Sequence, residues 1–463
     1  MPSPRRKEFA LQRYLQRYIE QGLPDAPVGA ARWQHVLVIP AYDESPELLQ
    51  TLSQLVADGR LLIIVVLNRP DSDPNSQVNS ALREAINNLD GSDITSQKPG
   101  FIYPLNSSTD LFCYDLELRS GPSPAAQGVG LARKLGCDIA LLWQNQGAIS
   151  SDWICSSDAD AILPRDYFSR LELAINSVAA VYPFVHTPGT SEDINRATAL
   201  YEIRLHHYVL GLSYARSPYA YHTLGSCIAV KGLPYAQVRG YPKRSGGEDF
   251  YLLNKLAKLG PIASLSGDCI TLQSRASHRV PFGTGPAVGK IIEDKQALDS
   301  VLFYHPRCFE ALKNLLLVLP QLREHDAPEL PELLINKALD EKLARAATAV
   351  LCSMGLDKAV SHCRKHGVSE AQFIRQFHQW FDGFKTLKFI HGLRDAGWPM
   401  QSLPGLLDLQ PTLFPAGMAA DRGIASVRAT ILDHWQWTIG NQHSNSTATA
   451  ETAGYRTTAP RFE

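Results

Sequence analysis

The sequence predicts an α/β fold in which a mostly parallel sheet is flanked by helices, followed by a helical C-terminal region. Two apolar runs rich in β-branched residues, 36–40 and 61–67, predict the sheet, because strands buried on both faces have this pattern. Strand and helix patterns alternate in this part of the chain, which favours parallel pairing through right-handed crossovers. Beyond about residue 290 long helical patterns dominate, and these predict the C-terminal region.

Capping signals and apolar spacing define the elements around these strands. Ser45 followed by Pro46 is the signature of a helix start, and a face of leucines follows it. A second helix is predicted from Val78 onward, and a third over 129–136, ending near Gly136. A long helix is predicted over 192–215 and another over 248–259. Strands are predicted over 178–185 and 225–230, and long helices over 308–322 and 372–393.

Composition sets the broad class of the protein. The 463 residues are 44% hydrophobic and 20% charged, which is ordinary for a globular protein. The net charge of −1 gives no basic excess for general nucleic-acid binding, so no nucleic-acid partner is expected. The eight cysteines contain no Cys-x-x-Cys, which argues against zinc clusters and a disulfide framework. A reducing cytoplasm is the expected setting.

The chain is expected to have four parts. Residues 1–32 form a helical N-terminal extension with an amphipathic segment at 8–20. Residues 33–290 form the α/β domain, 291–439 a helical region, and 440–463 a disordered tail rich in Thr, Ser, Ala and Asn. No apolar run approaches the roughly 20 residues of a membrane helix. No transmembrane segment is expected, and peripheral membrane contact stays open.

Two carboxylates follow a buried strand near the middle of the chain. Trp153 and Ile154 lead into small residues, then Asp158 and Asp160, and Pro164 ends the segment. Carboxylate oxygens are hard ligands of the kind that Mg²⁺ or Mn²⁺ prefers, together with substrate phosphates. The alternative is a solvated turn of the type that Asp and Ser favour. Because ligands bind beyond the carboxyl ends of parallel strands, we expect these acids and the loops after 39 and 67 to share one crevice.

A second motif, Arg244-Ser-Gly-Gly-Glu-Asp-Phe250, places two acids at the start of a helix. Glu248 and Asp249 would be stabilised there by the helix dipole, so capping alone explains them equally well. The functional alternative is a general base that accepts the proton of an attacking hydroxyl group.

A third motif, residues 274–286, combines a histidine, two arginines and a glycine-rich turn. Arg275 and Arg279 suit phosphate or another anion, and the glycines offer backbone N–H groups. His278 either completes a metal site begun by the acids or is a structural residue.

Four motifs in order over residues 35–285 resemble the family-2-like glycosyltransferases. Val36-Leu-Val-Ile-Pro-Ala-Tyr-Asp-Glu44 resembles their opening strand and loop, and Gly130-Leu-Ala-Arg-Lys-Leu-Gly136 resembles their glycine–arginine helix. Asp158-Ala-Asp160 resembles their Asp-x-Asp motif, and Gly247-Glu-Asp249 their later Glu-Asp motif. The helical part beyond residue 290 is not covered by the resemblance.

The resemblance implies a GT-A fold, a nucleotide-sugar donor, a hydroxyl-bearing acceptor, and Mg²⁺ or Mn²⁺ as cofactor. It implies Asp160 as direct metal ligand, Asp158 as metal ligand or ribose contact, and Asp249 as the base of an inverting reaction, with Glu248 beside it. The residues expected to bind the donor on this resemblance are Pro40, Ala41, Asp43, Glu44, Asn68 and Arg133. Arg275 and Arg279, from their own chemistry, are expected to bind donor phosphates or an anionic acceptor. Many members carry Asp-Asp where this chain has Leu67-Asn68, so the donor is expected to be either a UDP-sugar or a GDP-sugar.

Two rival functions stay open. A sugar-1-phosphate nucleotidyltransferase uses a related sheet and metal carboxylates, but usually carries a glycine-rich, basic signature near its first strand, which residues 38–42 lack. A non-catalytic GT-A-like binding protein is the other, and the retained acids argue against it.

Overall fold

The computed structural model describes residues 4–27, 33–90, 92–93, 101–274, 283–293, 300–409 and 423–434. The strands are β1 (His35–Ala41), β2 (Leu61–Leu67), β3 (Ser92–Asp93), β4 (Phe101–Pro104), β5 (Thr109–Asp115), β6 (Trp153–Ser156), β7 (Ala179–Val181), β8 (Phe184–Thr187), β9 (Ile228–Lys231), β10 (Ile262–Ser264) and β11 (Ile270–Gln273). The helices of the first 300 residues are α1 (Pro4–Arg17), α2 (Glu47–Ser53), α3 (Ser80–Asn87), α4 (Leu116–Ser120), α5 (Gly128–Asn145), α6 (Glu192–Tyr214), α7 (Gly232–Gln237), α8 (Glu248–Leu256) and α9 (Thr284–Glu293). The later helices are α10 (Pro306–Val318), α11 (Leu330–Ile335), α12 (Glu341–Ser353), α13 (Leu356–His366), α14 (Glu370–Trp380), α15 (Gly383–Asp395) and α16 (Leu403–Asp408), and residues 424–434 are also helical.

The described chain forms two compact units. The first comprises Met1–Gly189 and Thr223–Ala287, and the second comprises Thr190–His222 and Val288–Glu463. The predicted single domain over 33–290 differs from this partition, because α6 belongs to the helical unit. Gly211 explains why: a Cβ there would lie 2.4 Å from the ring of Phe309, so the glycine lets α6 approach α10 closely.

The first unit is built on a mixed, mostly parallel sheet. Among the described residues it has nine strands in the order β10-β7-β9-β6-β1-β2-β5-β4-β3. The central strands β6, β1, β2 and β5 are mutually parallel, while β9 and β4 run antiparallel to their neighbours. Strand β2 is buried along its whole length, as its apolar run predicts. The α/β class with a mostly parallel sheet is therefore confirmed. The sequence interpretation missed β3, β4, β5, β10 and β11.

Helix α5 packs on β1, β2 and β6, and it is longer than predicted. It continues nine residues beyond Gly136, to Asn145. The glycine is not a helix end: a Cβ at Gly136 would lie 2.3 Å from Cγ1 of Val38. Gly136 therefore lets the helix backbone pack closely on the sheet.

Two further predicted elements are divided in the structure. The strand predicted over 178–185 is two strands, β7 and β8, separated by Tyr182 and Pro183, since proline cannot continue the backbone ladder. The helix predicted over 372–393 is broken between α14 and α15, where the Asp382 side chain accepts a hydrogen bond from the Lys385 N–H and caps α15. The tail at 440–463 lies outside the described residues.

The second unit is helical. Its buried core joins α6 to α10 and to the helices that follow, with large side chains such as Phe309, Phe373 and Phe389 fully enclosed. Among the described residues of the whole chain, no helix has both the length and the apolar character needed to span a membrane.

Candidate active site

The sheet topology brings three predicted segments to one edge. Strands β6, β1 and β2 are parallel neighbours, so their carboxyl ends lie together. The loop after β1 carries Asp43 and Glu44, the loop after β2 begins at Asn68, and Asp158 and Asp160 follow β6. Pro40 and Ala41 are the last two residues of β1.

The loops after β1 and β2 are joined by Asn79, a residue that the sequence interpretation missed. Its Oδ1 accepts a hydrogen bond from the Asp43 N–H at 3.1 Å, and its Nδ2 donates to the Asn68 carbonyl at 3.1 Å. Asp43 has φ of 57°, a left-handed conformation that non-glycine residues rarely adopt. Such strain persists where surrounding contacts hold it, here through the buried Asn79. The side chain of Asp43 is exposed.

The loop after β2 is also held from its other side. Arg69 pairs with Glu117 at 2.6 Å, and Arg83 bridges Glu117 and Asp115 at 3.1 and 2.6 Å. The Asp71 carboxylate accepts the Ala125 N–H at 2.9 Å. Arg69 and Arg83 are thus neutralised by carboxylates, and these ion pairs fix the loop.

Arg133 is the centre of the site. Its side chain is 3% exposed, and its guanidinium donates to Asp158 at 2.5 Å, to Glu248 at 3.0 Å and to the Ser156 hydroxyl at 2.7 Å. Because it lies on α5, it joins the end of β6 to the start of α8. A Cβ at Gly225 would lie 2.4 Å from Nη2 of Arg133, so only glycine leaves room for this guanidinium. Neither Ser156 nor Gly225 was singled out by the sequence interpretation.

The two acids at the start of α8 have different environments. Glu248 is 4% exposed, and burial raises its pKa although Arg133 opposes the shift. Asp249 is half-buried; burial, followed by the charge of Glu248, raises its pKa to about 7. Gly247 precedes them with φ of 70°, a conformation that favours glycine. Asp249 is therefore an acid that exchanges its proton near neutral pH.

The loop before α8 is clamped against the start of α5. The Gly130 N–H donates to the Arg244 carbonyl at 2.9 Å, and a Cβ at Gly130 would lie 2.5 Å from that oxygen. The exposed guanidinium of Arg244 stacks on the ring of Tyr251 at 4.2 Å. No carboxylate among the described residues pairs with it. Arg244 is part of the second sequence motif, but the sequence interpretation gave this arginine no role.

The acids after β6 lie on a turn. The Ala161 N–H donates to the Asp158 carbonyl at 3.2 Å, as the turn interpretation predicts. The same side chains still face outward in part: the Asp158 side chain is 39% exposed and Asp160 is half-buried. The segment is anchored beyond them by a bridge between Ile162 and Thr271. Turn and ligand roles are compatible here.

Among the described residues no group of three or more His, Cys, Asp or Glu side chains is arranged to hold a metal ion. Asp158 and Asp160 supply two carboxylates from one turn. Arg275, His278 and Arg279 lie outside the described residues, so their predicted roles stay predictions.

Comparison with known proteins leaves the family open. No family model matches the chain, and no curated protein matches it. Among solved structures, the chain is similar to a mannosyltransferase from Pyrobaculum calidifontis in complex with GDP-mannose and Mn²⁺. The identity is 16% and the TM-score 0.33, over 85% of this chain and 96% of the other. A TM-score this low does not establish a common fold, and the donor and metal of that protein are not transferred from it to this chain.

Proposed function

We propose that the protein is a metal-dependent glycosyltransferase of the GT-A fold. It would transfer a sugar from a nucleotide-diphosphate sugar to a hydroxyl acceptor with inversion, using Asp249 as general base. The observation that carries the proposal is the cluster in which Asp158 and Glu248 share the buried Arg133 beside Asp249, whose pKa is raised to about 7.

The charges in this cluster fit a divalent cation. Asp158, Glu248 and Asp249 together outweigh the single charge of Arg133, and the excess contributes to the raised pKa values of both α8 acids. Mg²⁺ and Mn²⁺ are commonly bound by one or two carboxylates plus substrate phosphates rather than by an all-protein cage. Asp158 and Asp160 would hold the ion, which would offset diphosphate charge as the donor bond breaks.

The side chains would then divide the remaining work. Asp249 would accept the proton of the acceptor hydroxyl as that oxygen attacks the sugar carbon. Arg133 would act as a positioning residue that fixes Asp158 and the start of α8 relative to each other. Arg244 has a charge without a carboxylate partner among the described residues and would bind a phosphate or carboxylate of a substrate.

The donor base would lie against the loops after β1 and β2. Asp43 and Glu44 would line this pocket, and Asn68, whose carbonyl is held by Asn79, would stand at the base edge. An amide both donates and accepts hydrogen bonds, which fits either UDP- or GDP-sugars.

Calorimetric titration with UDP- and GDP-sugars tests the proposal. The binding is measured in Mn²⁺ and in EDTA for the parent protein, for Asp160→Ala and for the control Asp90→Ala. Asp90 is an exposed acid beyond α3. We expect metal-dependent binding in the parent and control and its loss in Asp160→Ala. Equal affinity in EDTA, or in Asp160→Ala, would contradict the metal assignment.

A product assay separates the proposed enzyme from its rivals. A glycosyltransferase releases nucleoside diphosphate from the bound donor when an acceptor is present, whereas a nucleotidyltransferase forms or consumes pyrophosphate. Release of neither product from a bound donor across a broad acceptor panel would favour a binding protein.

A further inference from the structure

The N-terminal helix α1 concentrates positive charge. Its sequence, Pro-Arg-Arg-Lys-Glu-Phe-Ala-Leu-Gln-Arg-Tyr-Leu-Gln-Arg, has five basic residues and one acid, whereas the whole chain has a net charge of −1. The glycosyltransferase proposal gives this helix no role.

The inner face of α1 is fixed by a buried polar network. Tyr14 is fully buried, and its hydroxyl donates to Asp138 of α5 at 2.5 Å. Lys134 donates to the Tyr14 hydroxyl and to Asp138, each at 2.8 Å, and the Tyr235 hydroxyl of α7 donates to Asp138 at 2.9 Å. Because these groups are buried and mutually bonded, the opposite face of α1 is held outward.

That outer face presents one aromatic ring and two arginines among the described side chains. Phe9, Arg13 and Arg17 are spaced by four residues and therefore lie on one side of the helix, and all three are exposed. Phe9 is 68% exposed. Arg5 occupies the position one turn before Phe9.

The positive surface continues onto the segment after α7. The guanidinium groups of Arg13 and Arg239 lie 5.9 and 4.6 Å from the ring centre of Tyr18. Arg239 is exposed and has φ of 68°, so it is held in a left-handed conformation that is unfavourable for a side chain. The nearby acid Glu20 already pairs with Lys243 at 3.1 Å. The arginines thus outnumber the carboxylates that could neutralise them.

We propose that the outer face of α1, together with Arg239, docks on a membrane surface rich in anionic lipid headgroups, with Phe9 inserted among them. Helices that lie in the membrane interface combine a basic face with an exposed aromatic or leucine in this way. The arginines match the phosphate charge of the lipid surface. Lipid is favoured over RNA because the Tyr18 ring is already covered by two guanidinium groups and offers no open platform for base stacking.

Vesicle sedimentation tests this docking surface on the full chain. We expect the protein to bind phosphatidylcholine vesicles containing phosphatidylglycerol, to ignore pure phosphatidylcholine vesicles, and to be released by high salt. The double variant Arg13→Gln/Arg17→Gln should lower partitioning about 25-fold, because each cation near an anionic surface is worth about 5-fold. Phe9→Ala should lower it about 10-fold through lost apolar burial.

The matched control is Arg196→Gln/Arg375→Gln, which removes the same charge from exposed positions elsewhere. It should bind anionic vesicles like the parent, and thermal unfolding should be unchanged in all variants. The proposal is overturned if the control loses as much binding as the α1 variant, or if Phe9→Ala binds like the parent. It is also overturned if anionic vesicles do not bind while single-stranded RNA does. None of these readouts depends on sugar transfer.

Discussion

One arginine sets the electrostatics of the candidate site at the scale of single residues. Arg133 has three charged neighbours from two distant parts of the chain, Asp158 after β6 and the acids of α8. Burial, followed by the charge of Glu248, raises the pKa of Asp249 to about 7, and the shared guanidinium offsets this shift only in part. This places the proposed base where a carboxylate can accept a proton at physiological pH.

Asp249→Asn keeps the size of the side chain and removes its basicity. We expect turnover to fall by roughly 10²–10⁴-fold, the usual contribution of general base catalysis. Donor affinity should barely change, since the base acts in the transition state. Steady-state kinetics and donor calorimetry measure the two effects. If Glu248→Gln is inactive and Asp249→Asn is not, the two roles are reversed.

The raised pKa of Asp249 also predicts how stability depends on pH. Its pKa is about 7 in the folded protein against an ordinary 3.8. The folded state therefore holds the proton more tightly, and the resulting stabilisation is complete below pH 3.8 and is lost as pH rises through 7. Urea unfolding without metal should show a flatter pH dependence in Asp249→Asn than in the parent. Asp90→Asn is the control, and a slope unchanged in Asp249→Asn would assign the titration to another group.

At the scale of elements, the position of α5 determines where Arg133 lies. The helix rests on the sheet through Gly136, whose missing side chain lets its backbone meet Val38. One turn before Arg133, Gly130 meets the loop that precedes α8. Two glycines in one helix are poor for helix propensity, but they bring its backbone close to two different neighbours.

Gly136→Ala should lower the free energy of unfolding by about 2 kcal/mol, as expected for overpacking a tight core. Val38→Ala removes the methyl groups that the new Cβ would clash with. The double variant should therefore lose less unfolding free energy than the sum of the two single losses. Urea unfolding measures all three. Gly289→Ala is the control, because no atom lies within 4 Å of its Cβ. Simple additivity of Gly136→Ala and Val38→Ala would contradict the close contact.

At the scale of the whole molecule, the two units contain buried groups whose titration has opposite effects on stability as pH changes. As pH rises, ionisation of the buried Asp249 carboxyl group destabilises the first unit. In the second unit burial lowers the pKa of His207 to about 3 and that of His378 to about 4. A histidine with a lowered pKa favours the fold above its ordinary pKa of 6.5, and this stability is lost as pH falls towards its folded pKa.

Acid should therefore weaken the helical unit first. Hydrogen-exchange protection factors should fall more in the second unit than in the first between pH 7 and 5. His207→Phe should reduce this sensitivity, because the ring already makes edge contacts with Phe303 and Phe309, at 5.7 and 5.5 Å between centroids, and phenylalanine cannot be protonated. Exposed His362→Phe is the control. Equal acid sensitivity of the two units would contradict the prediction.

The sequence by itself determined the elements whose signals are local. The apolar runs of β1 and β2, their alternation with helices, and Asp158 and Asp160 directly after β6 follow from side-chain periodicity and from strand-ending residues. Periodicity also predicts α6, but it does not tell which core a helix joins. That choice depends on surface shape, here on Gly211 against Phe309.

Only the tertiary structure decided which residues meet. Arg133, Asp158 and Glu248 are far apart in the chain, and nothing local predicts that one guanidinium joins the two acids, or that Gly225 leaves space for it. The left-handed Asp43 and its partner Asn79 are likewise set by contacts between loops. Charge sharing, burial and close backbone approach depend on the distances between segments, and these distances are fixed by packing rather than by the order of the residues.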